Sequence, residues 1–316
     1  MTPRFLLFRI RLVLTLAAML PLTGCLFRTR RVAHEASPAV VQDATQADLI
    51  DKINRQAQRI QTLNATVDID TDVGGAKKGK VTEYQQIRGY VLVRKPGMLR
   101  MIGLFPVVRN RAFDMVSDGQ TFRLSIPTKN KFYVGRNDVI HPSKQPLENL
   151  RPQHIMDALL LRPIDTQNEV AAVESTSESV RDPKTKKTVD VPDYTVMVVA
   201  RSEQGWYLSR KIVFSRMDLE PYRQIVYDKL GNVATDARYE KYKEFDGTMF
   251  PSQIVISRPQ EEYEITLGVI KLKLNEALTD DQFDLPQPAG SQLVRLDVGP
   301  QQSAADGHGA DIKQSK

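Results

Sequence analysis

The stretch NATVDIDTDV, residues 64–73, sets Val67, Ile69, Thr71 and Val73 against Asp68, Asp70 and Asp72. Apolar or β-branched residues alternating with acids at a period of two mark a strand with one buried face. The next two hundred residues repeat the theme. QQIRGYVLVRKPG is a strand ended by Pro96-Gly97, MLRMIG is the next, and RAFDMVSDGQTFRLSIP is a hairpin turning at Asp118-Gly119. KFYVG, DYTVMVVARS, WYLSRKIVFSR, MFPSQIVISRP and EEYEITLGVIKLKLN read as further strands, and PYRQIVYDKLGNVATDARYEKYKEF as a hairpin turning at KLGNV. About ten antiparallel strands are expected, each pairing mostly with its sequence neighbour. Trp206 and Tyr207 are expected to anchor one of them. The charged segment 174–193 reads as a long exposed hairpin or loop.

Two segments depart from this pattern. In ATQADLIDKINRQAQRIQTL, the residues Leu49, Ile50, Ile53, Ala57, Ile60 and Leu63 recur at helical spacing, with Thr45 as cap and Asp48 in the first turn. RPQHIMDALLLRP, bounded by prolines, is the second helix. The strands carry apolar residues on both faces at their centres, as where Tyr90 and Leu92 oppose Val91 and Val93. Such a sheet must be covered on both sides or enclose something. Two helices are few for a flat sheet of this size. The expected fold is therefore mainly β, a strongly curved antiparallel sheet (an incomplete barrel) with helices covering its concave side. A packed core without a cavity is the alternative.

The chain holds one cysteine, Cys25. Arg4, Arg9 and Arg11 open the sequence with no acid among them, and an apolar run, Leu12–Leu20, follows. That run is too short to span a bilayer, which takes about 20 apolar residues. It fits the core of a secretory signal peptide. The segment ends Leu22-Thr23-Gly24-Cys25, which resembles a bacterial lipobox. The resemblance implies a diacylglycerol on the sulfur and cleavage before Cys25. A lone thiol forms no internal disulfide. The domain reading is thus 1–24 signal peptide, 25–44 flexible tether, 45–289 folded domain and 290–316 disordered tail.

Formal net charge is +6, but three of those charges are the arginines of the signal peptide. What remains forms no basic field of the kind that holds nucleic acid. Arg28, Arg30 and Arg31 suit anionic lipid headgroups or a solvated tether. Four histidines, His34, His141, His154 and His308, lie without His or Cys at metal-ligand spacing. No nucleophile elbow, P-loop or dinucleotide fingerprint is present. The acid pairs Glu261-Glu262 and Asp280-Asp281 read as solvated surface. The chain is expected to be no enzyme, with no catalytic residue, cofactor or metal.

The stretches IRGYVLVRKPGMLRM, MVSDGQTFRLSIP, PLENLRPQHIMDALLLRP and LNEALTDDQFDLPQPAG resemble, in order, those of the periplasmic lipoprotein carrier and outer-membrane receptor superfamily, the LolA/LolB-like fold. The resemblance covers residues 45–289. It implies an incomplete barrel lidded by helices, with a hydrophobic cavity that takes acyl chains. An anchored chain is similar to the receptors, not to the soluble carriers. By the same resemblance Leu104, Phe105, Pro106 and Val107 fall on a protruding loop used to pass lipid. A buried strand pair bent at Pro106 is the alternative. Arg94 and Lys95 fall where carriers place a basic residue that holds the helical lid. A lysine clamps less directionally than a guanidinium fork.

The expected function is that of a lipid-anchored envelope protein that binds acyl chains or lipoproteins, in their sorting or reception at the outer membrane. An anchored scaffold or stress-sensing module with no lipid-transfer role is the alternative. Leu26 stands where an aspartate signals inner-membrane retention in some bacteria. The first test is the anchor. Cys25→Ala should release the protein from membranes or leave an uncleaved precursor on fractionation. A variant processed and membrane-bound like the parent would refute the assignment.

Overall fold

The computed structural model describes residues 41–77, 79–138, 151–181 and 186–297. Residues 1–24, read from the sequence as a signal peptide, and Cys25, Arg28, Arg30, Arg31, His34, His141 and His308 lie outside the described residues. The chain divides into two compact units, residues 38–178 with 191–316, and residues 1–37 with 179–190. In the described part of the smaller unit, Ser179 Oγ donates to Asp190 at 2.5 Å and Arg181 Nε to the Lys186 carbonyl at 3.2 Å.

Helix α1 (Gln46–Arg59) precedes β1 (Thr62–Gly75), β2 (Lys80–Arg94), β3 (Met98–Leu104), β4 (Arg111–Ser117), β5 (Thr121–Ile126) and β6 (Lys131–Arg136). Helix α2 (Pro152–Leu159) leads to β7 (Glu169–Arg181), β8 (Thr188–Ser202), β9 (Gly205–Ser215), β10 (Pro221–Tyr227) and β11 (Val233–Phe245). Then come β12 (Thr248–Arg258), β13 (Tyr263–Leu274) and β14 (Gln292–Arg295). All fourteen strands join one sheet in the order β14-β6-β5-β4-β3-β2-β1-β13-β12-β11-β10-β9-β8-β7. From β6 to β8 neighbours are antiparallel. The sheet curls without closing, an incomplete barrel, as the sequence predicts.

Curvature has local causes. The β1 register slips once against β13, between Thr66 and Val67, and once against β2, between Ile69 and Thr71. Each irregularity bends the strand and adds twist. Gly89 and Gly103 face each other across β2 and β3. A Cβ on Gly89 would meet Ile69 Cδ1 at 2.4 Å, and one on Gly103 would meet Phe113 Cε1 at 2.4 Å. Only glycine leaves room there for side chains from β1 and β4 to lie across the strands.

Both helices cover one face. Thr45 and Asp48 cap α1 reciprocally, with Thr45 N donating to Asp48 Oδ2 at 2.9 Å and Asp48 N to Thr45 Oγ1 at 3.2 Å. Leu49 and Ile53 of α1 join Ile155, Met156, Ala158 and Leu159 of α2 in the main core, and Ala57 is buried as well. Inward Leu63, Ala65, Val67 and Ile69 of β1 meet them. Tyr239 donates its hydroxyl to the Ala158 carbonyl at 2.9 Å, and Arg210 holds the Arg162 and Pro163 carbonyls at 3.1 and 2.9 Å. Carbonyls at and beyond the end of α2 are thereby satisfied.

Part of the opposite face is dried by irregular chain with one 3-10 turn, Asp280–Phe283, and not by an α-helix. Leu278, Phe283 and Leu285 pack on Val116 and Phe132, with Leu92, Met98 and Val134 alongside. Three strand arginines grip that segment. Arg94 donates to the Leu278 carbonyl at 2.8 Å, Arg100 to that of Gln282 at 2.9 Å and Arg123 to that of Leu285 at 3.1 Å. Asp114, 1% exposed, fixes Arg100 from below at 2.8 Å.

Four expectations need correction. Among the described residues fourteen strands replace about ten, the unread ones being the two edges: polar β7, which forms with β8 the exposed hairpin expected of 174–193, and the four-residue β14. The tail does not begin at residue 290: Gln292–Arg295 pair in parallel with β6, held by the partial burial of Val294 and Leu296 against the core. Trp206 anchors nothing; at the start of β9 it is 56% exposed. Glu261 is not solvated surface, since its carboxylate meets the buried Arg258 at 2.6 Å.

Ile53 is wholly buried between α1 and the sheet. Ile53→Ala should cost about 2–5 kcal/mol, read as a lower urea midpoint with an unchanged slope. An unchanged midpoint would mean that α1 does not dock as described.

Candidate apolar pocket and its rim

Neither helix covers the inner face completely. Beside Ile155, in the first turn of α2, a pocket of about 490 Å³ remains over β1 to β5 and β13. Its floor is buried: Ile69, Met101, Leu124, Ile126, Ile155 and Ile265. Its walls are Val73, Ile87, Phe105 and Phe113, half-buried. Exposed Tyr84, Gln85, Pro106, Thr128 and Lys129 ring the mouth. The volume lies within the range of about 300–1,000 Å³ common for small-molecule sites. With carbon at the floor and polar atoms at the mouth, the space suits an apolar chain with its polar end outward.

The segment after β3 forms part of this rim. Leu104 ends the strand, and Pro106 supplies no N–H to a ladder. The loop closes on itself, with Phe105 N donating to the Asn110 carbonyl at 2.9 Å and Arg109 N to that of Phe105 at 3.1 Å. Phe105 and Pro106 turn toward the pocket. Val107 and Val108 stand out at 98% and 65% exposure, and Val107 has φ 67°. A β-branched residue with positive φ is a genuine backbone outlier.

Arg94 and Lys95, placed together at the lid by sequence, part company. Lys95 Nζ donates to the Ala57 carbonyl in the last turn of α1, where a cation is favoured. Burial lowers its pKa. Arg94 points to the other face, bound to Leu278 and at 2.5 Å to Asp280, with its guanidinium 5.1 Å from the Phe283 ring centre. Arg94 is the last residue of β2 and Lys95 the first beyond it, so Lys95 meets α1 while Arg94 meets the 3-10 turn Asp280–Phe283.

Near the pocket floor lies a polar cluster that the sequence does not announce. Arg258, fully buried, donates to Thr235 Oγ1 at 2.9 Å and to Glu261. Arg151 stacks on Phe122 at 5.2 Å. Burial first, then the charges of Arg258 and Arg151, lowers the His154 pKa to about 3. Burial raises that of Tyr263, which lines the pocket, to about 12. Arginines at a strand end and a helix start read as surface, and only their three-dimensional meeting shows otherwise. Among the described residues no His, Cys, Asp or Glu group has the arrangement of a metal site.

No protein-family model matches the sequence, and no curated protein does. Several solved structures are similar. A LolA superfamily protein from Nitrosomonas europaea aligns over 77% of this chain and 99% of its own, at 16% identity and TM-score 0.47. A DUF1329 family protein from Desulfovibrio piger aligns over 75% and 95%, at 14% identity and TM-score 0.48. An outer membrane lipoprotein-sorting protein domain from Vibrio parahaemolyticus aligns over 75% and 94%, at 9% identity and TM-score 0.42.

The cluster makes a pH prediction. His154 is neutral in the folded protein down to about pH 3, whereas the unfolded chain takes up a proton near 6.5. Between those values the unfolded state binds more protons, so His154 lowers stability as pH falls, by up to about 1.4 kcal/mol per unit. His154→Asn should flatten the loss of stability between pH 6.5 and 3. Parallel stability curves for parent and variant would show that His154 is not buried as a neutral ring.

Proposed function

We propose that this chain is a lipid-anchored protein of the bacterial envelope whose pocket holds an acyl chain, serving the sorting or reception of lipoproteins at the periplasmic face of the outer membrane. The observation that carries the reading is the apolar pocket with an exposed apolar loop at its rim. Each CH₂ moved out of water is worth about 0.8 kcal/mol, so an acyl chain handed between membranes needs a dry container. In this reading Cys25 bears the anchor. Leu104, Phe105, Pro106 and Val107 pass the chain between pocket and bilayer, and Lys95 steadies α1 over the inner face. Arg94 has no part in the lid. It fastens the segment that covers the outer face. Leu26 after the cysteine favours the outer membrane.

The test is binding of a fluorescent fatty acid by the full chain carrying Cys25→Ala. Saturable binding is expected, and Phe105→Glu, which sets a carboxylate in the pocket wall, should weaken it at least about ten-fold. Phe105 is half-buried, so the melting temperature should fall little. A folded chain without saturable binding would exclude acyl carriage and leave an anchored scaffold or stress sensor.

A further inference from the structure

A second recess lies on the other side of the same loop. It measures about 290 Å³ and is bounded by Arg88, Tyr90 and Arg109 together with Leu104, Phe105 and Pro106. Arg88 and Tyr90 alternate along β2 with residues of the inner face, so this groove is on the outer face. Phe105 and Pro106 border both spaces.

Its chemistry differs from that of the pocket. Arg109 is exposed, and no acid is paired with it among the described residues. Arg88 is half-exposed and gives its Nε to Asp68 at 2.7 Å, which sets the guanidinium against the groove. Tyr90 is 43% exposed. Beyond them project Val107 and Val108 with nothing over them. Both Val107 and Arg109 have positive φ, 67° and 54°. The loop thus holds an unfavourable backbone form that turns an apolar side chain outward with a cation two residues behind it. Strain at such a place points to a role outside the fold. Apolar tip, aromatic ring and arginines in sequence outward to inward match the layers of a bilayer surface.

We propose that the outer groove binds the phosphate of an anionic bilayer lipid, with Arg109 and Arg88 as its ligands, while Val107 and Val108 enter the acyl layer. A guanidinium gives a phosphate two parallel charge-assisted bonds, and the groove is large enough for a headgroup. The proposal rests on the reading that this loop meets lipid, and it adds the lipid class and the residues that choose it. Headgroup binding also orients the molecule, since it brings the pocket mouth beside Pro106 to the membrane surface.

The experiment uses the full chain carrying Cys25→Ser and Val108→Cys, with a polarity-sensitive fluorophore on the new thiol. The label reports the loop itself, however else the chain reaches the vesicle. Vesicles of phosphatidylglycerol mixed with phosphatidylcholine should shift the emission to the blue at lower lipid concentration than phosphatidylcholine alone. Arg109→Gln and Arg88→Gln should each raise the half-maximal lipid concentration about five-fold on the anionic vesicles and leave the neutral ones unchanged. Retained binding of the fluorescent fatty acid shows that the variants are folded. Equal response to both vesicles, or indifference to the arginine variants, overturns the headgroup site and leaves the acyl pocket standing. No shift on either vesicle while fatty acid still binds overturns the headgroup site and the loop's contact with lipid together.

Discussion

A broad sheet with apolar side chains on both faces has to be kept dry twice, and the rest of the molecule follows from that. The inner face is covered by α1 and α2, amphipathic helices that bring Leu49, Ile53 and Ile155 into one core with side chains of β1 to β5, β8, β9 and β11 to β13. The outer face receives a strip of irregular chain, which by itself would leave backbone carbonyls facing hydrocarbon. Arg94, Arg100 and Arg123 answer three of them. Bonds from a charged donor are worth roughly twice neutral ones. The buried Asp114 holds Arg100 in place. Removing one partner of such a pair would leave a charge without compensation in a dry interior.

Helical cover of the inner face stops short at the first turn of α2, and the pocket occupies what is left uncovered. Its floor is therefore made of ordinary core positions of β1, β3 and β5 that no helix side chain covers. That explains why Met101 and Leu124 count as core and as pocket floor at once. The rim loop is where both faces of the sheet meet, because β3 ends there and Phe105-Pro106 separate an apolar space from a cationic one.

Much of this was legible in the sequence, for definite reasons. The period of two in residues 64–73 and the spacing of Leu49, Ile53 and Ala57 are imposed by burial on one side, so they show in any linear reading. Thr45 and Asp48 form their box with neighbours three residues apart, which is also local information. The short strand β14 was not legible, since its partner β6 lies more than 150 residues earlier and Val294 and Leu296 are partly buried only once it is met. Nor was the cluster of Arg151, His154, Arg258, Glu261 and Tyr263, whose members come from three elements. The site was half legible. The apolar run with Pro106 marks a loop at a strand end, but the pocket arises from where α2 begins. Lys95 and Arg94 were read as a pair because they are adjacent, although β2 ends between them and they bond to different segments.

The place of β1 in the sheet governs when this chain can fold. Its partners are β2, which follows at once, and β13, whose register runs from Tyr263 to Leu274 against Val73 to Leu63. During synthesis at about 5–20 residues per second, β1 waits on the order of tens of seconds for that second neighbour to exist. Until then one edge of the first hairpin is bare, and open edges recruit other strands. The centre of the sheet is thus sealed late, with only the edge strand β14 to follow. Sheets with so much long-range pairing fold slowly, so the polypeptide stays threadable, and open to a holding chaperone, until its final third has been made.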